Sequence, residues 1–402
     1  MGKKKPETQA VTEVFTGTAT QIKNYLVGRY LADSERVKDG KEVRTSHILI
    51  GPPGIGKTRA VIEAGMEIAK RTEREFLVYD DGEFFDLWTG NLTELGRKVL
   101  AEPDKFFVNV VFPLNLAEPT DLTGIPQVVG DLGVTRFYPH FWVKVCSVTP
   151  GFLVLDDFLD TQREDVLSAG YRVVLDKVLG FLPCHRDRVV VATSNTPEHS
   201  SLSRLMPVPL ATRWEVHSIS TPSTDEWAEW MDRTFGDRWD KRTYAFLKAF
   251  EADQAILRIP PEPETSHPYP CPRSWTELAR ALHFGPADMD GLIGPEWGQK
   301  FRAFLATKVD IETLIREPKA WKELQYDSKC MAVCLLSSWM KKGDVKGALP
   351  LVKAMAEDSK EFVAFLARLC PIDALTKLML ASADIKGVAD EILEARKKLS
   401  GL

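Results

Sequence analysis

Paired cysteine is the plainest thing this sequence lacks. Its six cysteines (Cys146, Cys184, Cys271, Cys330, Cys334 and Cys370) are spread along the chain, and no two are spaced as CxxC. A disulfide framework needs denser, paired cysteines, so reduced and mostly buried thiols in a cytoplasmic protein are expected. Cys330 and Cys334 stand four apart on one face of an expected helix. A metal centre would need two further ligands beside them. None is evident, so plain packing is expected there. The seven histidines are scattered from His47 to His283 without HExxH spacing. No apolar run approaches the ~18 residues of a membrane span, which argues against a membrane protein. The opening MGKKKPETQAVTEVF is charged but lacks the apolar stretch of a secretory signal. Pro6 stands where a myristoylation motif after Gly2 wants Ser or Thr. Neither sign of charge dominates: 52 Lys plus Arg against 57 Asp plus Glu give a net charge of −5. That excludes a strongly basic coat and an acidic disordered tail, and leaves a local basic groove open. There is no internal repeat.

What is present is ordinary globular material, 402 residues of which 44% are hydrophobic and 27% charged, enough for two or three domains. Residues 1–20 are polar and expected to be flexible, and 21–37 have helical apolar spacing. SHILIG (46–51) is a short apolar run ended by Gly and Pro, the mark of a buried strand. FLVYD (76–80), FFVNVVF (106–112), FLVLD (152–156), VVVAT (189–193) and EVHSI (215–219) read as further strands, separated by helical or loop segments. Strands alternating with helices indicate a parallel sheet with helices on both faces. After about residue 222 no strong strand candidate remains. TPSTDEWAEWMDRTF (221–235) opens with capping residues and continues as a helix. The prolines of 258–274 forbid regular structure there, and from about 274 the chain reads as helical to its end. These features predict an α/β domain over 21–222, a helical domain over 223–310 and a helical extension over 311–402. Trp227, Trp230 and Trp239 are expected to pack the helical domain.

GPPGIGKT at 51–58 fits GxxxxGK[ST] in every fixed position, between a strand and a helix, the context that motif requires. The loop comprises Gly51, Pro52, Pro53, Gly54, Ile55, Gly56, Lys57 and Thr58. Its glycines let the backbone turn tightly, and its N–H groups with the helix N-terminus make an anion cradle. Lys57 would reach the β- and γ-phosphates of ATP, and Thr58 would place its hydroxyl on Mg²⁺. Hydrolysis also needs a metal carboxylate and a group beside the attacking water. FLVLDDF (152–158) offers both at the C-terminal end of a strand, where ligands bind in open α/β sheets. Asp156 would hold Mg²⁺ through water, and Asp157 would stand next to the attacking water.

This pattern resembles the AAA+ ATPases, a P-loop NTPase family. VVVATSNTP (189–197) is similar to the family's sensor-1 strand, with Asn195 at its tip. LMPVPLATRWEVHSI (205–219) is similar to the segment that carries the arginine finger, a place that Arg213 matches better than Arg204. PRSW (272–275) resembles the sensor-2 motif, with Arg273 opening a lid helix. Within the family the likeness is to the MoxR-like branch, including prokaryotic and phage-borne relatives. It rests on PTDLTGIP (119–126), TPGFLVLDD (149–157) and EVHSI leading into DEWAEWM. The resemblance covers about residues 20–300. It implies a homo-oligomeric ring, usually of six subunits, in which Arg213 acts on a neighbour's nucleotide. Arg273 would contact phosphate from the lid of its own subunit. It also implies remodelling of a protein substrate, such as a von Willebrand A-domain protein.

One departure stands out, because the family's strand usually ends in Asp-Glu and this one ends in Asp156-Asp157. Aspartate is one methylene shorter, and near-attack geometry controls rate. An ATP-gated scaffold or slow timer with little hydrolysis is therefore the second reading, and a nucleic-acid-dependent motor or loader the third. The insert at 112–150 gathers Phe137, Tyr138, Phe141 and Trp142. These aromatics could face a pore or a partner, but packing onto their own domain is the preferred expectation.

Overall fold

The computed structural model describes residues 15–36, 44–86, 88–130, 133–206, 211–260, 267–341, 345–370 and 372–381. The chain divides into two compact units, one over residues 1–221 and the other over most of 222–402.

The first unit is built on one parallel sheet. Its strands are β1 (Phe15–Gly17), β2 (Ser46–Ile50), β3 (Glu75–Val78), β4 (Phe106–Pro113), β7 (Gly151–Asp156), β10 (Arg188–Ser194) and β11 (Trp214–Ile219). They lie in the order β1-β11-β2-β10-β7-β4-β3, every neighbouring pair parallel. The central strands are apolar because both faces are covered: β7 and β10 are buried along almost their whole length. Side chains alternate between two cores. Ile48, Leu153, Leu155, Val190 and Ala192 serve one face. Leu49, Phe152, Val154, Val189 and Val191 serve the other, under α1 (Ala19–Arg36) and α2 (Lys57–Arg71). α2 turns Val61, Ala64 and Ile68 to the sheet, the i, i+3, i+7 spacing of an amphipathic helix. A P-loop NTPase sheet sandwiched by helices, with a helical region following it, is therefore the fold.

Among the described residues, six strands fall where the apolar runs place them, and five were not foreseen. β1 corrects the expectation that residues 1–20 are flexible. Phe15–Gly17 pair with His217–Ile219 of β11, and α1 begins at Ala19; residues 1–14 lie outside the described residues. Two small antiparallel hairpins, β5 (Ile125–Val129) with β6 (Val134–Tyr138) and β8 (Val178–Leu179) with β9 (Leu182–Pro183), complete the set. The aromatic cluster of the insert splits. Trp142 is buried and stacks on Phe112, ring centroids 4.7 Å apart, and Phe141 packs on Phe85. Phe137 and Tyr138, on the hairpin, stay exposed.

The second unit is helical. Trp227 and Trp239 are buried in its core and Trp230 packs against it, as do Cys330 and Cys334. Burial pushes both thiols up to about 12. Among the described residues, one core runs from Trp227 to Leu378, so the helices on either side of residue 310 share it. Residues 382–402, the end of the expected helical extension, lie outside the described residues.

Candidate functional site

Because β2, β10 and β7 are adjacent and parallel, the segments that follow them meet at one end of the sheet. Those segments are the glycine-rich loop, Asn195, and the Asp156–Asp157 pair.

The loop folds as its glycines require. Gly54 and Gly56 have φ of 75° and 95°, a left-handed region that glycine enters without a Cβ penalty. Gly51 N–H donates to Ser194 O at 3.2 Å, which ties the loop to the end of β10. Gly56 caps α2 without any side-chain acceptor. The first-turn N–H groups of α2 thus have no side-chain cap and suit an anion. Lys57 is buried, and its ammonium donates to Gly51 O (2.9 Å), Pro52 O (2.8 Å) and Asn195 Oδ1 (2.9 Å).

Asp156 ends β7 opposite Pro113 of β4. Its Oδ1 accepts hydrogen bonds from Thr58 Oγ1, at 2.8 Å, and from the Thr193 hydroxyl. A hydroxyl and a carboxylate side by side are the hard oxygen donors that Mg²⁺ takes, so these residues fit a magnesium nucleotide. Asp157 follows in a left-handed conformation, φ 54° and ψ 42°, which aspartate tolerates better than most residues. Its Oδ2 accepts from Asn115 Nδ2 at 3.3 Å, and its N–H donates to Thr193 Oγ1 at 3.4 Å.

Three residues that sequence reasoning missed complete the site. Asp160 is buried, and its Oδ2 accepts from Ser194 Oγ (3.3 Å), Asn195 N (3.1 Å) and Asn195 Nδ2 (3.3 Å), while Oδ1 accepts from Ser200 Oγ (2.9 Å). The acid four residues after Asp156, beyond an apolar pair, was the available signal. Thr193 and Asn115 carried none, because a threonine inside an apolar strand and an asparagine in a loop are commonplace.

The arginines are placed differently. Arg213 is exposed immediately before β11, whose Trp214 is level with Ser46 and Ser218 with Ile50. It therefore stands at the opposite end of the sheet from the loop, about 16 Å away along the strands at ~3.3 Å per residue. Arg204 is engaged within its own unit, paired with Glu164 and donating to Gln162 O at 2.7 Å. Arg273 lies in the second unit, exposed in the first turn of the helix Pro272–Phe284.

The scattered histidines need a correction. Two of them, His47 and His217, meet Glu215 on the same sheet, their donor atoms within 4.8 Å of one another.

Comparison with known proteins gives a consistent but weak likeness. No protein-family model and no curated protein matches the sequence. Among solved structures, the FIGL-1 AAA domain in complex with ADP aligns at TM-score 0.34 and 12% identity, over 75% of this chain and 87% of that one. A point mutant of Thermotoga maritima RuvB aligns at TM-score 0.32 and 13% identity, over 74% and 75%. A putative ATPase from Cytophaga hutchinsonii aligns at TM-score 0.31 and 15% identity, over 71% and 80%. At these values the likeness carries no argument about function. No described helix is long and apolar enough to cross a membrane.

Proposed function

We propose that this protein is an AAA+ ATPase that binds ATP with Mg²⁺ and hydrolyses it at the interfaces of a homo-oligomeric ring. The observation that carries the reading is the meeting of Lys57, Thr58, Asp156 and Asn195 around one glycine-rich loop, from three separate strands. Lys57 and the α2 N-terminus hold the phosphates. Thr58 and Asp156 hold Mg²⁺, which when bound neutralises charge on the phosphate oxygens. Asp157 orients the attacking water and takes its proton, while Asn195 positions that water and the γ-phosphate. The exposure of Arg213 at the far end of the sheet suits a finger that acts on a neighbouring subunit and stabilises transition-state charge there. Arg273 is the lid residue that senses the γ-phosphate. The ring is hexameric, and its work is remodelling of a protein partner of the von Willebrand A-domain kind, as in MoxR-like relatives.

A slow timer is favoured over a fast motor by one contact. Asn115 holds the carboxylate of Asp157, already one methylene short, on the β4 side of the site.

Steady-state turnover tests the reading. Lys57→Ala and Asp157→Ala should each abolish phosphate release, and so should Arg213→Ala. Mixing the Arg213→Ala and Asp157→Ala proteins should restore part of the activity, because some interfaces then combine an intact Asp157 with a neighbour's intact Arg213. Wild-type turnover no higher than that of Lys57→Ala would sink the proposal. Stimulation by DNA or RNA that falls with salt would favour a nucleic-acid motor instead.

A further inference from the structure

Three polar side chains stand together on the face of the sheet that α1 covers. Side chains alternate along a strand, so His47 shares a face with Leu49 on β2, and Glu215 and His217 share it with Ile219 on β11. His47 is 3% exposed and His217 fully buried. His47 Nδ1 lies 3.2 Å from His217 Nε2 and 3.5 Å from Glu215 Oε2. α1 lays Tyr25, Arg29 and Asp33 over the cluster, at the four-residue spacing that aligns side chains on one helix face. The Tyr25 hydroxyl donates to Glu215 Oε1. Arg29 lies 3.6 Å from Glu215 Oε2 and 3.4 Å from Asp33 Oδ1, so Asp33 balances its charge.

The hydrogen-bond accounting of this cluster does not close. Glu215 Oε2, Arg29 Nε and His217 Nδ1 are each buried without a hydrogen-bond partner. Buried polar atoms are normally paired, and an orphan costs free energy. The two imidazoles can share one N–H between them, but that leaves Glu215 Oε2 with no hydrogen bond and only the 3.6 Å ion pair to Arg29. A cation placed among His47 Nδ1, His217 Nε2 and Glu215 Oε2 takes a lone pair from each, and so serves the one orphaned acceptor of the cluster, Glu215 Oε2.

We propose that His47 Nδ1, His217 Nε2 and Glu215 Oε2 form a Zn²⁺ site that ties β2 to β11. The 3.2 and 3.5 Å separations bracket the edge of about 3.3 Å expected of a tetrahedron with ~2.0–2.1 Å bonds. Two imidazoles and one carboxylate are borderline donors that suit Zn²⁺ over Mg²⁺. Tyr25 occupies Oε1 and so presents Oε2, the outer-shell role that orients a ligating carboxylate. The site is distinct from Thr58 and Asp156. It acts as a pin between the strand that leads into Gly51 and the strand that follows Arg213, and so fixes the finger's base relative to the loop.

The full-length protein, stripped with a chelator, is titrated with Zn²⁺ against a chromophoric competitor. A second titration with Co²⁺ is followed by visible absorption. We expect one equivalent bound per chain and an intense tetrahedral Co²⁺ spectrum. His217→Gln and Glu215→Gln should each weaken Zn²⁺ binding at least tenfold, and Tyr25→Phe by about tenfold. Thr58→Ala should leave Zn²⁺ binding unchanged. Zn²⁺ uptake by wild type no greater than that of a folded His47→Gln/His217→Gln double variant overturns the proposal. Should that variant not fold, a wild-type Co²⁺ spectrum that is weak and octahedral overturns it equally.

Discussion

The Lys57 ammonium donates to Asn195 Oδ1 at 2.9 Å, linking the phosphate loop to a residue 138 positions later in the chain. The amide has only one sensible orientation, because its oxygen faces a cation and its nitrogen faces the Asp160 carboxylate at 3.3 Å. Asp160 therefore sets the position of Asn195, and through it the resting place of Lys57.

Replacing Asp160 by Asn tests that chain of contacts. The isosteric amide removes the charge that gathers Ser194, Asn195 and Ser200. Displacing a positioning group by about 1 Å can cost on the order of a hundredfold in rate. Asp160→Asn should lower kcat by about ten- to a hundredfold with nucleotide affinity little changed. Phosphate release and a fluorescent-nucleotide titration check the two separately. Equal losses in both would mean that Asp160 merely supports the fold.

Asp157 offers a prediction of opposite sign. If reach limits turnover, Asp157→Glu should raise kcat several-fold, because the longer side chain extends past Asn115 toward the nucleotide. Asp157→Asn should lower it by about 10²–10⁴, the range for loss of a general base. A glutamate variant slower than wild type would show that the loop and Asn115 are fitted to the shorter acid.

The sequence showed the loop, the Asp pair and the central strands plainly, because each leaves a local signature. A glycine pattern dictates the turn at Gly54 and Gly56, and two-sided burial makes β2, β7 and β10 continuous apolar runs. What it hid depends on partners distant in the chain. β1 is three residues long and is a strand only because β11 lies beside it. The hairpin Ile125–Val129 with Val134–Tyr138 is exposed on nearly every residue, so no alternation betrays it. His47 and His217 are 170 positions apart and look like isolated histidines until the sheet sets β2 against β11.

Lys177 gives the fold a pH dependence of known sign. It ends the helix Glu164–Asp176, and its buried ammonium donates to Ser46 Oγ and Val174 O. Burial lowers its pKa to about 8. Between about 8 and the ordinary lysine value near 10.4, the unfolded chain holds a proton that the folded chain has released. Stability contributed at this site therefore rises with pH across that window, by on the order of 3 kcal/mol in full. Lys177→Met keeps the stem and removes the titration. Urea unfolding at pH 7.5 and pH 9.5 should show the wild type gaining relative to the variant, and parallel curves would refute the assignment.

Arg188 supports the site from the other end of the sheet. Its guanidinium is buried, pairs with no carboxylate among the described residues, and donates to Cys146 O (3.0 Å), Val108 O and Phe152 O (3.1 Å each), and Thr149 O and Oγ1 (2.8 Å each). It thereby binds the start of β10 to β4, β7 and the turn before β7, the strands whose far ends carry Asn195 and Asp156. Arg188→Met keeps comparable bulk but leaves these acceptors without their donor, at about 1–3 kcal/mol for each one that water cannot reach. The loss of stability should be at least about 3 kcal/mol, read as a lower urea midpoint. Arg188→Lys should recover only part of it, because three donors on a flexible stem cannot reproduce the planar fork. A methionine variant as stable as wild type would mean that water replaces the guanidinium, and that the bonds to it contribute little.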